Sequence, residues 1–487
     1  MGKTVKRFLA LIFCLTFVFL AGCNSGDPTG DWVTTANTEE TPVDDTPETD
    51  VPTDKLVMRE DQVYAADLID EADTISLAFI GGSLTAAGIE YYPIFPDWPT
   101  CRNRWVSDIL ISYVTDGKGY KRDDRTVKAI NVGLSGTNSE YGAVRFMEQV
   151  GEVEGFAPDI IFLEFSCNDS WMGADRASLY YEYIIRRCLE FDKIPIIVIM
   201  HAPVPVVEGD AAYAGYMAGI AEKGALAAHY GIKTINVYDY LLRQYESENS
   251  PLSFSDYIGC GEGGKGYFNE NPPGSTERYD VHPNGEGYAL YSAAFFEALE
   301  ADSSSIYSKI KFADVYNTHA PEFVDCTIKY TAASDERISY EGEWTLYDEN
   351  NPFETDDEKI DMDNGAFKKT DKYYEFFPFS DGMMQTLNSV GASFSFTTSA
   401  SAVTFPHFSS LAGSYATAYL VNEDGSNGEE LGRITVYSIY DDMNYLTSWV
   451  NLPDDGEEHT VRFVVDDPTE TNYVFRFGYL VERFDKK

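Results

Sequence analysis

Short apolar runs alternate with longer stretches of helical spacing along the middle of this chain. The runs, rich in Ile and Val, are Ile75–Ile80, Val127–Val132, Asp159–Phe165, Ile194–Met200 and Ile232–Val237. Between them, apolar residues recur at three- and four-residue spacing over Trp105–Val114, Tyr141–Val150, Leu179–Phe191 and Ala211–Tyr230, and a last such stretch covers Glu286–Leu299. Strands with little polar alternation, each followed by a helix, predict a parallel sheet buried on both faces. Right-handed crossovers then give a three-layer α/β/α domain with a five-stranded parallel sheet, assigned to residues 59–315.

After about residue 320 the rhythm changes. Phe323–Tyr330, Ala392–Thr397, Ala402–Phe405, Ala416–Val421, Arg433–Tyr440, Thr460–Val465 and Tyr473–Val481 are strand-like, with no amphipathic helix between them. Turn signals such as Asn422-Glu423-Asp424-Gly425 and Pro453-Asp454-Asp455-Gly456 separate them. Closely spaced short strands of this kind predict an antiparallel β-sandwich over residues 320–487.

The N-terminal pattern is of another kind. Lys3, Lys6 and Arg7 precede an apolar run from Phe8 to Leu20, which is too short to span a bilayer. Residues 1–22 therefore read as an export signal. Leu20-Ala21-Gly22-Cys23 resembles the bacterial lipoprotein box, which implies lipidation of Cys23 and attachment to the outer face of a membrane; two or more acyl chains anchor stably. From Asp27 to Asp54 there are nine acidic residues and no basic ones, with repeated Thr and Pro. Such a segment cannot bury enough apolar surface to fold, so residues 23–58 read as an extended tether.

Composition narrows the function. A net charge of −44 argues against a nucleic-acid partner, because phosphate binding needs clustered Lys and Arg. It also disfavours a polyanionic substrate and leaves neutral sugars and small esters open. Cys14 and Cys23 belong to the export signal. The other five Cys show no Cys-x-x-Cys spacing, so neither a zinc site nor a disulfide framework is indicated.

Four short segments carry candidate chemistry, each at the carboxyl edge of the parallel sheet, where open α/β folds bind ligands. Ser83 follows the first strand in Gly81-Gly82-Ser83-Leu84, where the glycines permit a tight turn that exposes its hydroxyl. The second strand leads into Leu134-Ser135-Gly136-Thr137, and the third into Ser166-Cys167-Asn168-Asp169. A loop Gly offers an unobstructed N–H and an Asn a side-chain N–H, the donors that a developing oxyanion needs. His282, in Asp280-Val281-His282-Pro283, stands just before the last helix, where an imidazole could take and return the proton of a serine.

In this order the four segments resemble the SGNH hydrolases, the GDSL esterase/lipase family, over roughly residues 74–300. The resemblance implies a cofactor-free acyl transfer with Ser83 as nucleophile and His282 as base. The oxyanion hole would comprise the N–H groups of Ser83 and Gly136 and the amide of Asn168. Gly82 stands where the family usually has Asp. In the last segment the Asp lies two residues before the His, whereas the family spacing is three. Asp280 is the expected orienting residue, a backbone carbonyl the alternative, and Glu277 and Glu286 are weaker carboxylates nearby. The β-rich C-terminal region resembles the jelly-roll domains of some carbohydrate esterases, although in one such family the jelly roll comes first. These resemblances imply an esterase acting on acylated carbohydrate. A lipase or lysophospholipase, an acyltransferase, and a non-catalytic glycan-binding protein are the other readings.

Overall fold

The computed structural model describes the chain from Ala72 to Asp485, apart from 87–104, 110–125, 260–265, 271–278, 302–314, 348–382, 409–414, 436–444, 467–473 and shorter gaps. The export signal, Cys23 and the acidic tether lie outside the described residues. So do Ser135 and the side chain of Asp280.

Five parallel strands form the first sheet: β1 (Thr74–Gly81), β2 (Thr126–Asn131), β3 (Ile160–Glu164), β4 (Ile196–His201) and β5 (Thr234–Asn236). Their order is β2-β1-β3-β4-β5, with the switch point between β1 and β3. In β1, Ile75, Leu77 and Phe79 face one core cluster, and Ala78 and Ile80 face another. This is the two-sided burial expected of strands whose side chains alternate between faces. Edge strand β2 is the most exposed of the five.

Helices cover both faces. Trp105, Ile109, α6 (Val237–Ser247) and α8 (Gly285–Ala301) contribute to the Phe79 side. There Phe79 stacks on Phe162 at 4.7 Å and meets Trp105 edge-on at 5.1 Å, contacts worth about 0.5–1.5 kcal/mol each beyond simple burial. The opposite side is covered by α2 (Ser139–Phe146), extended by a π-helical turn at Met147–Gly151, and by α4 (Ala174–Leu189) and α5 (Tyr213–Tyr230). Two short helices, α1 (Ser83–Ala86) and α3 (Ser166–Asp169), lie directly after β1 and β3. Sequence periodicity predicts all the long helices except α6, which begins where the expected strand Ile232–Val237 ends. A further helix, α7 (Phe254–Ile258), and a ribbon of β6 (Phe268–Glu270) and β7 (Tyr279–Pro283) lie between α6 and α8. No described helix is long and apolar enough to cross a membrane.

The second domain is built of antiparallel strands in three sheets. One contains β15 (Tyr415–Val421), β16 (Asn427–Thr435), β19 (His459–Asp466), β12 (Ser393–Thr398) and β9 (Ser339–Glu341). Another contains β10 (Thr345–Tyr347), β11 (Met383–Leu387), β20 (Val474–Phe477), β14 (His407–Phe408) and β17 (Tyr445–Leu446). A third contains β18 (Val450–Asn451), β13 (Ala402–Thr404) and β21 (Tyr479–Phe484), with β21 paired to β8 (Thr327–Ala332). The expected single strand Tyr473–Val481 is thus two strands in different sheets, divided at Gly478. Alternate residues of β19 (Val461, Phe463, Val465) enter an aromatic core in which Phe394 stacks on Phe477 at 4.5 Å and on Phe463 at 5.0 Å.

The two domains share packing. Val324, Cys326, Ile328 and Val481 belong to the same cluster as Tyr183, Ile184 and Cys188 of α4. Glu182 of α4, fully buried, binds the segment between the domains: it accepts from Tyr316 N (2.7 Å) and Tyr230 Oη (2.5 Å), and its other oxygen meets His319 Nδ1 at 2.5 Å. A buried carboxylate requires such a full set of partners.

Candidate active site

Ser83 is held by close approaches that only glycine allows. A Cβ at Gly81 would overlap the Glu164 carbonyl and the Thr85 side chain. One at Gly82 would overlap Asn168 Oδ1 and come within 2.9 Å of the Thr137 carbonyl. Gly82 N donates to Glu164 O at 3.2 Å, and Ala86 N to Gly82 O at 3.0 Å, so the chain turns from strand to helix within two residues. Trp105 Nε1 secures the turn from the side by donating to Leu84 O at 3.2 Å.

The loop with Gly136 is tied to the same turn. Gly81 O accepts from Leu134 N at 3.0 Å and from Arg145 Nη2 at 3.1 Å. Arg145, almost wholly buried, also donates to Val132 O and to Gln149 Oε1. Its guanidinium, with several donors in a rigid fork, bridges the ends of β1 and β2. Gly136 has φ +74°, a left-handed conformation that favours glycine. Asn138 then caps α2, accepting from Tyr141 N at 3.1 Å. Asn168 stands in α3 with its side chain against Gly82. The next residue, Asp169, accepts from Ser139 N at 2.8 Å and is 3.1 Å from Lys223 Nζ.

His282 arrives from elsewhere in the chain. It lies on β7, outside the main sheet, and its Nε2 is 2.9 Å from Ser83 Oγ. Asn284 fixes the strand-to-helix junction: its Oδ1 accepts from Glu286 N at 2.9 Å and Gly287 N at 3.1 Å, and its backbone N donates to Tyr267 O at 3.0 Å. A residue pair 199 positions apart in sequence is thereby set at hydrogen-bond distance. The four predicted segments do come together around Ser83. Asp280 belongs to β7, but its side chain is outside the described residues.

Sequence reasoning missed a buried layer of ionisable groups beneath this site. Burial pushes the Glu164 carboxyl up to about 7, partly offset by Ser166 N–H and Lys223. Burial and Lys223 hold His201 down to about 3. His201 Nδ1 faces Ser166 Oγ at 3.3 Å. Lys223 was discoverable: Tyr216, Gly219, Lys223, Leu226, Ala227 and Tyr230 form one buried stripe on α5 at helical spacing.

A second serine–histidine–carboxylate line occurs at the domain junction, where His319 lies between Ser178 Oγ (3.0 Å) and Glu182 (2.5 Å). Ser178 is wholly buried and donates to Asp175 O at 2.9 Å, so no ester could reach it. Proximity alone does not make a nucleophile.

The family described as GDSL-like Lipase/Acylhydrolase matches residues 79–290. A search of curated proteins found no match. Among solved structures, a two-domain esterase (CEX) active on acetylated mannans is similar over 86% of this chain and 94% of its own, at 14% identity and a TM-score of 0.56. The same esterase co-crystallized with mannopentaose gives 87%, 94%, 15% and 0.56. A catalytic mutant of Axe2, an acetylxylan esterase from Geobacillus stearothermophilus, covers 47% of this chain and 95% of its own at 14% identity and a TM-score of 0.33. The two-domain likeness is one of fold. Residues 79–290, the bulk of the α/β domain, thus match the GDSL-like lipase/acylhydrolase family, and an antiparallel β domain follows them.

Proposed function

We propose that this protein is a serine esterase that removes acetyl or similar small acyl groups from carbohydrate. The observation that carries the reading is the 2.9 Å contact between Ser83 Oγ and His282 Nε2, at a turn against which the Gly136 and Asn168 segments are packed. His282 takes the Ser83 proton as the oxygen attacks the ester carbonyl. The N–H groups of Ser83 and Gly136 and the Asn168 amide receive the developing oxyanion. His282 returns its proton to the departing sugar hydroxyl, then activates the water that releases the acid. Asp280 is the proposed orienting carboxylate, on the grounds that it is the acidic residue nearest His282 in the sequence.

The carbohydrate assignment is supported by the likeness to the two-domain CEX esterase, which extends through both domains. Cys23 is proposed as a lipid attachment point, holding the enzyme on the outer side of a membrane at the end of the acidic tether. Hydrolysis of p-nitrophenyl acetate, then acetate release from a panel of acetylated polysaccharides, tests the reading. Ser83→Ala is expected to lose at least about 1000-fold in kcat; full activity in that variant would overturn it.

A further inference from the structure

Asp169 follows Asn168 directly, and its two carboxylate oxygens serve different elements. Oδ1 accepts from Ser139 N, the first residue of α2 and three positions beyond Gly136, at 2.8 Å. Oδ2 is 3.1 Å from Lys223 Nζ of α5, and both side chains are 1% exposed. Lys223 Nζ also lies 5.0 Å from the ring centre of Tyr181, whose hydroxyl accepts from Phe165 N at 3.0 Å. A buried ion pair adds little to stability compared with apolar residues of the same size. A single carboxylate bonded to both segments does set their separation, which an apolar pair could not.

We infer that Asp169 and Lys223 are a positioning pair that fixes Gly136 and Asn168 relative to each other, with Lys223 supplying the countercharge Asp169 needs in a dry site. The inference rests on the proposed oxyanion role of Gly136 and Asn168. Donors displaced by about 1 Å cost up to about 100-fold in rate, because the oxyanion bonds form only in the transition state. The ionisable neighbours of the pair are Glu164 on β3, Tyr181 on α4 and His201 on β4.

The test uses the full chain, with kcat and KM for p-nitrophenyl acetate measured from pH 5 to 9 and normalised to folded protein by circular dichroism. Lys223→Met is expected to lower kcat by about 10- to 100-fold and leave KM within about twofold. Asp169→Asn/Lys223→Met, which keeps an acceptor for Ser139 N without a buried unpaired charge, should recover part of kcat. A purely structural pair would lower stability and leave kcat per folded molecule unchanged, and that result overturns the inference. If Lys223→Met does not fold, the comparison is Asp169→Asn/Lys223→Met against Asp169→Leu/Lys223→Met. A kcat about tenfold higher in the Asn variant supports the inference, and equal values refute it. Ser83→Ala is run beside them. Activity surviving there defeats the esterase assignment itself, whereas an inactive Ser83→Ala with a normal Lys223→Met defeats only the positioning pair.

Discussion

Replacing Glu164 by Gln should make the α/β domain more stable, by an amount that grows as pH rises from 4.5 to about 7. Buried at the end of β3, Glu164 takes its proton at about 7 in the folded protein and at an ordinary 4.5 when unfolded. As pH rises from 4.5, the unfolded chain ionises this group while the folded chain keeps it neutral. The native state loses stability across that window and loses no more above about 7. At about 1.4 kcal/mol per unit, the gap from 4.5 to 7 amounts to about 3 kcal/mol. Gln retains an acceptor for Ser166 N, which binds Glu164 Oε1 at 2.9 Å. The advantage of Glu164→Gln should therefore be near zero at pH 4 and reach about 3 kcal/mol at pH 8. Urea unfolding followed at 222 nm measures it, since helices α1 to α8 all lie in the α/β domain. An advantage that is constant between pH 5 and 8, or that shrinks as pH rises, would refute the reasoning. His201 works in the other direction. Its unfolded form takes a proton below about 6.5 and its folded form only near 3, so the acid loss of stability should survive in Glu164→Gln.

Three other variants probe the site. Ser178→Ala should leave p-nitrophenyl acetate hydrolysis within about twofold and lower stability by about 1 kcal/mol; a loss of activity like that of Ser83→Ala would place the chemistry at the domain junction. Gly82→Ala drives a methyl group into Asn168 Oδ1, and steady-state kinetics should show kcat down at least about tenfold, with an unchanged kcat arguing that Asn168 is not an oxyanion donor. Asp280→Asn should cost about 1000-fold in kcat, close to His282→Ala. A loss below about tenfold would instead indicate a Ser–His dyad oriented by a backbone carbonyl.

The elements that the chain announces most clearly are those whose burial is symmetric. β3 (Ile-Ile-Phe-Leu-Glu) and β4 (Ile-Ile-Val-Ile-Met-His) are buried throughout, and their apolar runs say so locally. The sandwich strands are weaker signals because their partners are remote: β12 pairs with β9 on one side and β19 on the other, and no local pattern encodes that choice. Short strands such as β9 and β18 (Val450–Asn451) exist only by virtue of such pairing. The segment carrying His282 was legible from its residues, while the short ribbon that delivers it was not. Ser83, Gly136, Asn168 and His282 were open to prediction because each stands in a short segment near the end of a strand or the start of a helix. Lys223 and Glu164 carry their charge inside elements whose neighbours are apolar, and what they serve emerges only when α5, β3 and α3 meet.

The shared packing at the domain junction bears on how this protein could be divided or recombined. Val481 of β21 lies in one cluster with Ala78 and Ile80 of β1, so the interior of the α/β domain is completed by a strand made some 400 residues later. A fragment ending at residue 315 would expose the α4 surface around Tyr183 and Ile184 and leave Glu182 short of Tyr316 N and His319. Such a fragment should be prone to aggregate. Transplanting the sandwich onto another hydrolase would require rewriting that helix face as well, which makes the pair of domains a single heritable unit.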